Sequence, residues 1–276
     1  MLISETDART VGHVLREAAQ NEILPRFRQL AHGQVRRKSS AHDLVTDADV
    51  AAERTISAAL ARAFPSAVVV GEEAAAADAS ILDRLPSANL AFVIDPVDGT
   101  KNFASGLPLF GVIAAVLVSG EVAGGVIYDP ILDDFAFAVR GEGAWTENAE
   151  GVRGDLKVSA TTALSDMSGL VSWKALPEPV RSTVATNLAQ FAVVNSYRCV
   201  AHEYRFLCAG HADFSMYAKL MPWDHAAGWL LHREAGGYSA RLDGSPYLPT
   251  RTDGGILYAA DKGNWDAIHG ALFGVH

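Results

Sequence analysis

The chain has 276 residues, 49% hydrophobic and 20% charged, an ordinary balance for a globular protein. That length suffices for one large domain or two small ones with a sizeable core. A formal charge of -9 makes it a poor general binder of nucleic acid, which needs a basic face. Its two cysteines, Cys199 and Cys208, have no zinc spacing and form no disulfide framework. They read as buried packing residues of a reducing compartment.

The N-terminal "MLISETDART" lacks the basic and apolar regions of a signal peptide, so a cytoplasmic protein is expected. Val11, Val14, Leu15, Ala18, Ile23, Phe27 and Leu30 follow helical spacing and predict a long amphipathic first helix. "TDADVAAERTISAALARAF" predicts a second, with acids in its first turn where the macrodipole favours them. "SAVVVGEE" and "NLAFVID" read as buried strands. Residues 102–120 carry no charge, but Pro108 and a turn at "SGE" mark strands rather than a membrane span. "LFGVIAAVLV", "VAGGVIYD", "DFAFAVR" and "GAWTE" continue as strands joined by glycine-containing turns. The second half alternates strands ("GLVSW", "FAVVNSY") with helices ("PEPVRSTVATNLAQ", "AHEYRFLCAG", "PWDHAAGWLLHREAGG", "NWDAIHGALF"). The pattern is a mixed α and β protein, one domain over 1–276 or two halves meeting near 146–160.

Carboxylates recur at the ends of these apolar segments. Glu72 and Glu73 follow "VVVG", Asp95 and Asp98 follow "LAFVI", and Asp224 opens the helix of "MPWDHAAGWLL". Upstream, "HDLVTDAD" supplies Asp43, Asp47 and Asp49 at a helix start. Each acid alone makes a good turn former or cap. Together they are oxygen donors without a His or Cys cluster, a set that selects hard cations, Mg²⁺ foremost. Close carboxylates repel unless a cation lies between them. Gly99 permits positive φ and a close backbone approach, and Thr100 adds a hydroxyl. A metal, a phosphate cradle and a hydroxyl point to phosphate ester hydrolysis.

"GEE" after a strand, "DPVDGTKNF" and "PWDHAAGWLLHREAGG" together resemble the inositol monophosphatase family, and "HDLVTDAD" matches a fourth element. The resemblance implies an α+β fold, a layered α/β/α/β/α sandwich of the sugar-phosphatase type, in homodimers. It implies that Glu72, Asp95 and the Val97 carbonyl hold one Mg²⁺, that Asp95, Asp98 and Asp224 hold a second, and that Glu72 helps a third. Gly99 and Thr100 would contact phosphate through backbone amides, and Thr100, hydrogen-bonded to Asp49, would activate the attacking water. Attack would be in line with no covalent phosphoenzyme, and lithium would inhibit. The substrate would be a small phosphorylated metabolite resembling inositol 1-phosphate. Related enzymes act instead on 3′-phosphoadenosine 5′-phosphate, fructose 1,6-bisphosphate, histidinol phosphate or NADP, and a regulatory binding module is the non-catalytic alternative.

The chain departs from the family where the substrate would sit. "RCVAHEY" puts Arg198 where a glycine is usual, followed by His202 and Glu203. "SMYAKLMPWD" offers Tyr217 and Lys219 in place of an acid. Arg198 and Tyr217 are therefore the candidate substrate-specificity residues; Arg198 and Lys219 read either as surface cations or as partners of a second anionic group, and His202 reads as a helix-surface residue. A haloacid-dehalogenase-type phosphatase is rejected, because its two acids are one residue apart and here Pro96 and Val97 intervene.

Overall fold

The computed structural model describes residues 3–29, 35–37 and 44–274; Asp43 and Leu30 lie outside them. The first helix, α1 (Glu5–Ala18), starts on a Ser4–Asp7 capping box and passes through a π turn and a 3₁₀ turn to Arg26, so Phe27 falls beyond it. Strands β1 (Val35–Arg37) and β2 (Leu44–Thr46) pair antiparallel. Then follow α2 (Asp47–Ala63), β3 (Val68–Gly71), α3 (Glu72–Ala77), β4 (Leu90–Asp98) and α4 (Thr100–Ala104). A meander continues through β5 (Gly111–Val118), β6 (Glu121–Asp129), β7 (Asp134–Val139), β8 (Gly143–Glu147) and β9 (Arg153–Asp155). The remaining elements are β10 (Ser168–Ser172), α5 (Val180–Asn187), β11 (Val193–Asn195), α6 (Val200–Cys208), β12 (Phe214–Tyr217), α7 (Pro222–Glu234), β13 (Tyr238–Arg241), β14 (Ile256–Ala259) and α8 (Lys262–Phe273).

Strands β3 to β9 form a seven-stranded sheet in sequence order, parallel at β3–β4 and antiparallel elsewhere. The second sheet has the order β11-β10-β12-β14-β13, with its first three strands parallel. Side-chain alternation assigns the layers. Leu90, Phe92, Ile94, Val112, Ala114 and Val116 meet α1 and α2 on one face of the large sheet. Ala91, Val93, Ile113, Ala115, Ala136 and Ala138 meet α6 and α7 on the other. Those two helices are covered from beyond by Leu170, Ile256 and Tyr258 of the second sheet. The far face of that sheet, with Val171, Met216 and Leu257, packs on α5 and α8. The result is the expected α+β layered sandwich. Sheets covered on both faces explain why their strands read as continuous apolar runs.

The topology gathers the acids. β3 and β4 run parallel with Gly71 opposite Ile94, so Glu72 and Asp95 leave the sheet side by side. Strand β4 does not end at Asp95: it shifts register there and pairs again at Asp98 with Gly111. That irregularity turns both carboxylates toward the helix starts of α3, α4, α6 and α7. Among the described residues no helix is long and apolar enough to cross a membrane.

Candidate active site

Asp95 sits at the centre, 2% exposed. Its Oδ1 accepts from the Val97 N–H at 3.0 Å, which shapes the Pro96–Val97 turn. Burial raises its pKa well above the ordinary carboxylate range, and Glu72, Asp98, Asp224 and Asp49 each raise it further. Asp224, in the first turn of α7, is raised by burial, then by Glu72 and Asp98, while the exposed Lys219 pulls it down. The Asp224 and Asp95 carboxyl groups are neighbours in this buried site. Two ionised carboxylates do not hold that geometry without a cation.

Asp98 is also buried. Its Oδ2 accepts from the Ala201 N–H at 2.6 Å and lies 3.1 Å from the Cys199 Sγ, at the start of α6. Burial raises its pKa and these donors oppose the rise. Asp49, buried on α2, forms a capping box with Thr46: its Oδ2 accepts from the Thr46 N–H at 2.8 Å and hydroxyl at 2.6 Å. The Thr100 hydroxyl lies 3.1 Å from Asp49 Oδ1 and 2.9 Å from the Val97 carbonyl. One hydrogen thus serves two acceptors. Gly99 holds φ at 85°, and a Cβ there would lie 2.9 Å from the Leu109 carbonyl, so only glycine fits this turn.

The structure therefore brings together Asp49, Glu72, Asp95, Val97, Asp98, Thr100 and Asp224. Among the described residues, no three His, Cys, Asp or Glu side chains already stand as a metal cage. Asp95 and Asp98 are each turned partly to a backbone amide, which accounts for the open arrangement. The donor chemistry fits a hard divalent cation: Glu72, Asp95, Asp98 and Asp224 are carboxylates, the Val97 carbonyl stands among them, and close carboxylates repel unless a cation lies between them.

Tyr217 is placed differently from expectation. It is 2% exposed and packs among Tyr204, His225 and Tyr258 in the middle layer, with Glu203 beside its hydroxyl, so its ring is core rather than an exposed substrate contact. Arg198 is exposed on the loop before α6. His202 is not free on the helix surface as expected: its Nε2 lies 3.1 Å from the Phe110 carbonyl and its side chain is 16% exposed.

Three positioning residues escaped the sequence reading. Glu53, one turn after Asp49 on α2, accepts from the Glu73 and Ala74 N–H groups at 2.6 and 2.8 Å and so caps the helix bearing Glu72. Its signal was the i, i+4 spacing from Asp49. Asn102 donates to the carbonyls of Leu109 and Tyr197 at 2.9 and 2.8 Å, tying α4 to the loop before α6. Glu203 is buried and accepts from the Tyr197 N–H, the Arg198 N–H and the Ser196 hydroxyl. No local pattern marks Asn102 or Glu203.

Residues 3–273 match the model of the inositol monophosphatase family. The chain is 32% identical over 231 residues to the Nus factor SuhB of Pasteurella multocida, covering 81% of this chain and 80% of that protein. It is 32% identical over 227 residues to the inositol-1-monophosphatase of Rhizobium meliloti, covering 79% of each. The crystal structure of the extragenic suppressor protein SuhB from Bartonella henselae superposes with a TM-score of 0.77 at 28% identity, over 95% of this chain and 98% of that one. A family match over nearly the whole length, with relatives of about one-third identity that bear the name inositol-1-monophosphatase, means that the chain belongs to the inositol monophosphatase family and is a phosphoric monoester hydrolase.

Proposed function

We propose that this hydrolase is Mg²⁺-dependent, uses two or three ions, and cleaves a small metabolite built like inositol 1-phosphate, one phosphomonoester on a compact ring. The observation that carries this reading is the buried group of acids around Asp95, whose repulsion calls for cations. The Rhizobium meliloti relative bears the name of that activity. Glu72, Asp95 and the Val97 carbonyl would hold one ion, Asp95, Asp98 and Asp224 another, and Glu72 would assist a third. The bound ions supply Lewis-acid polarisation of the phosphate and acidify water.

The chain's own groups do the positioning. Thr46 holds Asp49, Asp49 holds the Thr100 hydroxyl, and the lone pairs of Thr100 are left to orient the attacking water. Glu72 would take up the proton. The Gly99 and Thr100 backbone N–H groups would hold a phosphoryl oxygen. Water attacks in line and no aspartyl phosphate forms. The enzyme works as a homodimer in the cytoplasm.

The test is phosphate release from inositol 1-phosphate with and without Mg²⁺, with Asp98→Asn and Asp224→Asn alongside. Each substitution removes electrostatic support worth several kcal/mol, so rates fall about a hundredfold or more. Unchanged rates in both variants would sink the assignment. Labelled phosphate trapped on Asp95 would sink the direct attack by water.

A further inference from the structure

A pocket of about 460 Å³ is lined by Val171, Ser172, Trp173, Lys174, Ser196 and Arg198. That volume is in the range of small-molecule sites. Its lining residue Arg198 is one residue along the chain from a group that touches the acids. Arg198 immediately precedes Cys199, whose thiol touches Asp98, and the Tyr197 carbonyl is held by Asn102 on the helix that Thr100 opens.

Among the described residues the lining holds two cations and no acid, in a chain whose acids outnumber its bases 32 to 23. Arg9, Arg16, Arg140, Arg153 and Arg205 all pair with carboxylates. Arg198 and Lys174 are exposed, and neither has an ion pair among the described residues. The Lys174 ammonium lies 6.0 Å from the centroid of the Trp173 ring, so a charge and a flat apolar face are offered together. Ser172 and Ser196 add hydroxyls.

The backbone here is held in place. Arg198 has φ of 57°, the left-handed region that disfavours a side chain by roughly 1 kcal/mol. Glu203 fixes the turn, accepting from the Tyr197 N–H at 2.7 Å and the Arg198 N–H at 3.2 Å. Lys219 is absent from the lining; its charge acts on Asp224 instead.

We propose that this pocket receives the alcohol part of the substrate and selects a phosphomonoester that carries a second anionic group on a flat or ring-shaped body. Arg198 and Lys174 read the second charge and Trp173 covers the ring. The inference rests on the phosphatase reading above and narrows it from a neutral polyol to an anionic alcohol.

The experiment compares kcat/KM for 4-carboxyphenyl phosphate and phenyl phosphate with Mg²⁺ present, with inositol 1-phosphate as reference. The two aryl esters differ by one carboxylate. The wild-type protein should prefer the carboxylated ester by about tenfold, the size of one hydrogen bond to a charged group. Arg198→Gly, which suits the left-handed turn and so folds, should bring the ratio toward one, as should Lys174→Gln. Trp173→Ala should raise KM for both aryl esters. Cleavage of both esters at a ratio near one, or a preference that survives Arg198→Gly and Lys174→Gln, overturns the inference alone. No release from any of the three esters overturns the phosphatase reading and the inference with it.

Discussion

Asp224 shows what a single carboxylate costs before its cation arrives. Burial, then Glu72 and Asp98, raise its pKa, so its ionised form destabilises the metal-free fold. Its position in the first turn of α7 is worth about 0.3–1 kcal/mol in the other direction. Repulsion among several buried acids is the larger effect. Asp224→Asn should therefore stabilise the metal-free protein by about 1 kcal/mol or more and lose the stabilisation that added Mg²⁺ gives the wild type; urea titrations with and without Mg²⁺ measure both. Glu203 has a pH signature. Burial raises its pKa from 4.5 to about 7, and the Tyr197 N–H opposes part of the rise. Between those values the folded chain keeps a proton that the unfolded chain releases. Its contribution to stability is complete below about pH 4.5 and is lost as the pH rises through 7. Glu203→Gln should shrink the difference in unfolding free energy between pH 4.5 and 8 by about 3 kcal/mol. An identical pH profile in the variant would refute the assignment.

At the scale of elements, the site depends on how closely α6 approaches α7. Gly228 faces the Tyr204 ring, and a Cβ there would lie 2.0 Å from Tyr204 Cδ2. Tyr204 cannot retreat freely, because its hydroxyl is bound 2.8 Å from both Tyr258 and His225. In an exposed helix, Gly→Ala would gain about 1 kcal/mol. Here overpacking of about 1–3 kcal/mol or more opposes it. Gly228→Ala should lower the melting temperature and, by parting the helix that carries Asp224 from the one that binds Asp98, lower kcat. A variant as stable and active as the wild type would show that the two helices adjust independently.

At the scale of the whole molecule, residues from either side of 146–160 share one apolar layer: Val93, Ala115 and Ala136 pack with Leu170, Leu230 and Tyr258. We propose that the halves fold as one unit. Tryptophan fluorescence and far-ultraviolet circular dichroism should then report a single coincident unfolding transition. Two separated transitions would mean two independent halves.

Local chemistry is legible along the chain because apolar runs, a proline and paired acids carry their meaning without their partners. The long apolar strands, the capping box at Thr46, the turn at Gly99 and the acids at 72, 95, 98 and 224 all belong to that class. The short strands β12, β13 and β14 were invisible, since four residues show no period and exist by pairing with distant neighbours. Tertiary structure alone decided that Asp98 turns to the Ala201 amide, that Glu53 caps the helix of Glu72, and that Tyr217 is core while Arg198 lines a pocket with Lys174 and Trp173. The physical reason is common to them all. A donor type can be read from one residue, but its burial and its partner are set by chain segments that meet only when the layers close.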